Sequence, residues 1–152
     1  MKAVLRTLAI CSLLGIAGNV MAADKVCKLE VTGTDQMQYD KKDLAVAADC
    51  TQVELTLHHS GKLPAQAMGH NWVLTKTPDM AGVVSDGISA SFADDHIKKG
   101  DARVIAHTKI VGGGQSTTVT FATSALKAGE AYSYFCTFPG HSSLMKGVLK
   151  FG

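Results

Sequence analysis

Proline is scarce in this chain of 152 residues, with three in all, and aromatic residues make up only 6%. The fifteen glycines follow no period, which excludes collagen-like and solenoid architectures. An excess of charge of one sign is also missing. Of the fifteen Lys and Arg, Lys2 and Arg6 stand in the first six residues, and the thirteen that remain equal the thirteen Asp and Glu. A nucleic-acid partner needs a basic face, and this balance supplies none. With 46% hydrophobic residues, the chain can bury a core. Its length suits one domain plus a small extra segment, with no room for a second catalytic domain.

That extra segment is an expected secretory leader over residues 1–22. Lys2 and Arg6 form its positive start, Leu8 to Ile16 its apolar stretch, and Val20-Met21-Ala22 a small-residue cleavage site, with cleavage after Ala23 the neighbouring alternative. The apolar run is too short to act as a membrane anchor and Gly18-Asn19 breaks it. Cys11 does not read as a lipidation site, because Ile10 is not the small residue that processing wants. The remaining 23–152 is expected to form a single domain in an oxidising compartment, the periplasm.

Setting Cys11 aside leaves Cys27, Cys50 and Cys136. An odd number in a secreted protein points to one disulfide and one free or metal-bound thiol. Cys27 lies on the first strand and Cys50 at the end of another apolar segment. Closing that loop contributes about 3 kcal/mol on the chain-entropy account. Cys136 stands apart, in Phe135-Cys136-Thr137-Phe138-Pro139-Gly140-His141.

Apolar residues alternate with polar ones at Cys27, Leu29 and Val31, at Val53, Leu55 and Leu57, and at Val104 and Ala106. The same holds at Val119 and Phe121, at Tyr132 and Tyr134, and at Leu149 and Phe151. Period-two alternation in short runs predicts an all-β, antiparallel two-sheet sandwich. Gly112-Gly113-Gly114 predicts a tight bend. It precedes a strand and has no Lys in Walker spacing, so it is not a phosphate cradle. Pro78 and Asp79 suit a helix start, which predicts a short helical insertion near residues 79–91.

The residues that carry chemistry are Cys136, His141 and Met145, spaced Cys-x4-His-x3-Met, with Pro139-Gly140 bending the chain between them. A thiolate and a thioether are soft ligands and imidazole is borderline, a set that selects copper. A structural zinc site would want four strong ligands, and Met is a poor one. One more strong ligand is needed, from His58, His59, His70, His96 or His107. His59 shares the parity of Val53, Leu55 and Leu57, so it faces the core, and His58 faces outward. His96 sits in a charged turn, and His107 is near solvent. His70, in Ala67-Met68-Gly69-His70-Asn71-Trp72, lies where a loop enters an apolar strand. That position favours it without closing the choice.

Three segments together resemble the azurin family of bacterial blue copper proteins, within the cupredoxins. They are Met68-Gly69-His70-Asn71-Trp72-Val73-Leu74-Thr75-Lys76, Arg103-Val104-Ile105-Ala106-His107-Thr108-Lys109 and Tyr134-Phe135-Cys136-Thr137-Phe138-Pro139-Gly140-His141. The Cys27/Cys50 pair, Met37-Gln38-Tyr39 and Met145-Lys146-Gly147 extend the likeness over the whole mature chain. Ser142-Ser143 and Ala67 depart from the family pattern. The resemblance implies a Greek-key cupredoxin fold with a helical flap and one copper ion per chain. It places His70, Cys136 and His141 around that ion in a trigonal plane, Met145 as a long axial ligand, and the Gly69 carbonyl as a weak contact opposite. It also implies that Asn71 ties the ligand loops together, that the Phe138 N–H bonds to the Cys136 sulfur, and that His59 is a buried, titrating histidine near the copper.

A His2Cys site with a weak axial Met suits Cu(I) and Cu(II) about equally, so little reorganises when one electron moves. Four residues close the site, and neither neighbour of Cys136 is a His that could relay electrons to another copper. The expected function is therefore one-electron transport rather than catalysis. Phe138, Pro139 and Leu144 flank His141, and the resemblance adds Met37, Leu63, Ala67 and Met68 to an apolar patch for transient redox partners. A c-type cytochrome and a periplasmic reductase or peroxidase are the expected partners, the protein itself being a monomer. A copper chaperone or storage protein, or a thiol enzyme using Cys136 and His141, are the competing readings.

Overall fold

The computed structural model describes residues 24–152; the expected leader and its cleavage site lie outside the described residues. Among the described residues, nine strands form two sheets: β1 (Val26–Thr34), β2 (Gln38–Tyr39), β3 (Asp43–Val46), β4 (Gln52–His59), β5 (Val73–Lys76), β6 (Val104–His107), β7 (Ser116–Ala122), β8 (Tyr132–Phe135) and β9 (Lys146–Phe151). One sheet runs β2-β1-β4-β7 and the other β3-β9-β8-β5-β6. The sheets are mixed, which corrects the antiparallel expectation: β1 runs parallel to β4, and β3 parallel to β9. Alternation tells which face a residue takes and carries no information on strand direction.

The alternating residues fill the space between the sheets. Val53, Leu55, Leu57 and His59 are all buried along β4; Val31, Leu44, Val46, Tyr134 and Leu149 meet them from other strands, and Trp72 from just before β5. Each fully buried aliphatic side chain is worth about 1.5–3 kcal/mol. Trp72 lies between Phe121 and Tyr134, at ring-centroid distances of 6.1 and 5.8 Å. Its indole N–H has no partner among the described residues. The Cys27–Cys50 disulfide fastens β1 to the turn before β4.

Strand β8 is buried on both faces because a second, smaller cluster covers its far side. There Val83 from the helix α2 (Met80–Ile88) packs with Val73, Ile97 and Phe135. The helical insertion is thus present but ends at Ile88, short of residue 91. Pro78 sits in a 3-10 turn, Thr77–Asp79, that leads into it. Arg103 pins the insertion by reaching Asp86 at 2.6 Å from beside Asp101. A second helix, α1 (Ala65–Met68), follows Pro64 where the sequence showed only a loop.

Loop placement follows from strand direction. The ends of β1, β4 and β8 and the starts of β5 and β9 meet at one pole of the sandwich. Gly33, His59, His70, Cys136 and Met145 therefore come together there, although 112 positions separate the first from the last.

Candidate metal centre

His70, Cys136 and His141 place one ligand atom each within 4.8 Å of one another, and all three residues are buried. His70 precedes β5 and pairs by backbone with Val111. Cys136 directly follows β8. His141 opens a 3-10 turn, His141–Ser143, entered through Gly140 at φ 83°, a left-handed conformation that suits glycine. Three backbone bonds close the loop: His141 N–H to the Phe138 carbonyl at 3.0 Å, Met145 N–H to the His141 carbonyl at 2.8 Å, and Cys136 N–H to the Met145 carbonyl at 3.0 Å. They also bring the fully buried Met145 to the same pole.

The donor set fits a soft cation, and the hydrogen bonds show why. With the proton of the neutral His70 ring assigned to Nε2, which faces the Thr34 carbonyl at 2.8 Å, Nδ1 carries only a lone pair. That lone pair faces His141 Nδ1 at 3.2 Å and the Gly69 carbonyl oxygen at 2.9 Å. The Cys136 sulfur lies 3.7 Å from His141 Nδ1 and 3.9 Å from the Gly69 oxygen. Acceptors converge on one point, and a cation relieves their mutual repulsion. Burial pushes His141 down to about 4, with the His70 and His59 rings adding to the effect. Burial also lowers His70, against its hydrogen bond to Thr34. Both imidazoles are thus neutral and ready to bind. Burial pushes the Cys136 thiol up to about 12, against backbone hydrogen bonds from Asn71 and Phe138. A metal ion is what would make it a thiolate at neutral pH.

Asn71 is buried beside His70 and joins the two ligand segments. Its Oδ1 accepts the Thr137 N–H at 2.9 Å, and its Nδ2 donates to Thr137 Oγ1 at 2.7 Å and to the Asp95 carbonyl at 2.9 Å. The Tyr39 hydroxyl donates to the Asn71 carbonyl. His59 stacks on His70 at a centroid distance of 4.2 Å, donates from Nε2 to the Met68 carbonyl, and accepts the Gly61 N–H at Nδ1. Of the remaining histidines, His58 bonds Ser116, His107 is exposed and His96 is half-buried; none joins the cluster. His96 is less open than its charged neighbours suggest, because its ring packs edge-on against Phe138.

On the surface, Leu63 and Leu144 are 42% and 49% exposed. Ala67 and Pro139 are also exposed, while Met37, Met68 and Phe138 are half-buried. Phe138 lies 4.6 Å from the His141 ring. Sequence reasoning did not find Gly33. A Cβ there would sit 2.8 Å from His70 Cδ2 and 3.3 Å from Met145 Cε. It also missed the Thr34 carbonyl, the Asn71 N–H on the sulfur and the Asp95 carbonyl. Backbone groups carry no residue signature, so only the fold reveals them.

Comparison with known proteins agrees with this geometry. A family model described as "Copper binding proteins, plastocyanin/azurin family" matches residues 25–152. The azurin of Bordetella pertussis is 54% identical over 131 residues, 86% of each chain. That of Pseudomonas aeruginosa is 48% identical over 145 residues, 95% of this chain and 97% of its own. The solved structure of the azurin Az-iso2 from Methylomonas sp. strain J superposes with a TM-score of 0.80 at 44% identity, covering 83% of this chain and 98% of that one. The chain belongs to the plastocyanin/azurin family of copper-binding proteins.

Proposed function

We propose that the protein is a one-electron carrier holding a single copper ion on His70, Cys136 and His141, with Met145 and the Gly69 carbonyl as weaker partners. The observation that carries this reading is the convergence of two imidazole nitrogens, a carbonyl and a sulfur on one buried point. Bound there, copper supplies reversible one-electron chemistry between its cuprous and cupric states.

The chain's own residues keep the site rigid and dry. The Thr34 carbonyl fixes the His70 tautomer, and the Asn71 and Phe138 N–H groups stabilise negative charge on sulfur. The loop bonds between Phe138 and Met145 hold the donors in place. His70, Cys136 and Met145 are fully buried and His141 is 3% exposed, which favours transfer of an electron over binding of a substrate. The same burial opposes a thiol enzyme, whose nucleophile needs a depressed pKa and access. It equally opposes a chaperone, which must release its cargo.

Partners would meet the apolar surface of Met37, Leu63, Ala67, Met68, Phe138, Pro139 and Leu144 near His141. Weakly charged contacts of this kind release quickly and suit a c-type cytochrome or a periplasmic reductase or peroxidase. The leader pattern of residues 1–22 and the disulfide favour a periplasmic location.

Cupric titration of the metal-free protein under air tests the ligand set. It should give an intense blue thiolate-to-copper band at one equivalent, bleached and restored by reductant and oxidant. Cys136→Ser should give none. A colourless complex of the unaltered protein, or one that resists reduction, would overturn the reading.

A further inference from the structure

The insertion between β5 and β6 contains two successive residues with left-handed backbone, Asp95 at φ 55° and His96 at φ 51°. Residues with side chains rarely adopt this conformation, and it persists only where the surroundings enforce it. Here they do. The Ser91 carbonyl accepts the His96 N–H at 3.1 Å, and the Asp94 carbonyl accepts the Ile97 N–H at 2.9 Å. Ile97 is buried with Val73, Val83 and Phe135. Asp95 Oδ1 accepts the Ile110 N–H at 2.8 Å. His96 Nδ1 donates to the Ala90 carbonyl at 3.0 Å.

The backbone angles on either side of the Asp95–His96 peptide decide where the Asp95 carbonyl points. It accepts from Asn71 Nδ2 at 2.9 Å and from Thr137 Oγ1 at 3.0 Å. That second bond orients the Thr137 hydroxyl, whose oxygen then accepts from Asn71 Nδ2 at 2.7 Å. Asn71 follows His70 and Thr137 follows Cys136, so one carbonyl holds both segments. Without it, the buried Thr137 hydroxyl proton would lose its acceptor, a situation folded proteins avoid. The Asn71 N–H on the Cys136 sulfur belongs to the same knot.

We propose that the Asp95–His96 turn is a positioning element of the metal site: its left-handed backbone aims the Asp95 carbonyl at Asn71 and Thr137, and so sets the hydrogen bonding at the Cys136 sulfur. This rests on the reading of His70, Cys136 and His141 as the copper ligands. The helical insertion thus supplies no ligand and yet helps to tune the centre.

The test compares His96→Val with His96→Gly. Both lose the imidazole and its bond to Ala90, but only the β-branched residue opposes a left-handed backbone. In metal-free His96→Val, hydrogen exchange at the Thr137 amide and the Asn71 carboxamide should speed up about tenfold. Cys136 should react faster with an aromatic disulfide reagent, and the copper-loaded protein should show a shifted reduction potential. His96→Gly, which frees the turn from strain, should restore all three towards the unaltered protein. Equal changes in both variants, or none in His96→Val, would overturn the proposal. If His96→Val does not fold, Thr137→Val decides, because it removes the hydroxyl that donates to Asp95 and nearly keeps the volume. It should raise exchange at Asn71, and an unchanged rate there would refute the positioning role. A protein that fails to give the blue band overturns the ligand assignment instead, and the metal-free exchange comparison still decides on the turn.

Discussion

Asn71 grips Thr137 at both ends of its carboxamide, accepting the backbone N–H at 2.9 Å and donating to the hydroxyl at 2.7 Å across 66 residues of sequence. One ligand segment is thereby tied to the other. Asn71→Ala leaves the buried Thr137 N–H without an acceptor, which costs about 1–3 kcal/mol. Denaturant unfolding of the metal-free variant should show a loss of that size. Unchanged stability would mean that the two segments are held elsewhere.

Gly33 lies where β1 passes beneath the site. A methyl group there would approach His70 Cδ2 to 2.8 Å and Met145 Cε to 3.3 Å. Overpacking of this kind costs about 1–3 kcal/mol. Gly33→Ala should therefore weaken copper binding in a competition titration while the far-ultraviolet circular dichroism stays that of the unaltered protein. Equal affinity would show that His70 can move freely.

Met145 is fully buried and tied by backbone hydrogen bonds to His141 and Cys136. Met145→Leu keeps the volume and removes the weak donor proposed there, whose loss would disfavour Cu(II) relative to Cu(I). The blue band should remain and the reduction potential, read by voltammetry, should rise. Loss of colour would make Met145 a primary ligand.

Burial holds His141 down to about 4 and lowers His70 as well. Below the unfolded value of about 6.5, the unfolded chain takes up protons that the folded chain refuses. Stability of the metal-free protein must then rise with pH across this window. Melting temperature should fall as pH drops from about 6.5 to about 4 and level off below. A profile flat over that range would place both imidazoles in solvent contact.

Met68 is half-buried, and its carbonyl, not its side chain, holds His59. Met68→Lys puts a charge on the proposed partner surface. Electron self-exchange measured by nuclear magnetic resonance should slow, with the copper absorption nearly unchanged. A large loss of the copper band would mean that the side chain supports the site itself.

Strand faces were legible in the sequence because alternation records burial directly: Val53, Leu55, Leu57 and His59 sit inward as their parity requires. Soft-ligand chemistry was legible too, since Cys136, His141 and Met145 lie within one loop. Strand direction was not, because a parallel β1–β4 pair has the same alternation as an antiparallel one. The short α1 escaped notice, being only four residues long.

The choice of the remaining strong ligand among five histidines shows where spacing alone stops. Composition and spacing determined by themselves that a soft metal would be held by a loop at the end of a sandwich, and that one more imidazole was required. Only the tertiary structure brought His70 rather than His58, His96 or His107 to within 3.2 Å of His141. It alone supplied the Thr34 and Asp95 carbonyls and the Asn71 N–H. Side-chain chemistry is written residue by residue, whereas the aim of a backbone group depends on dihedral angles that distant packing sets.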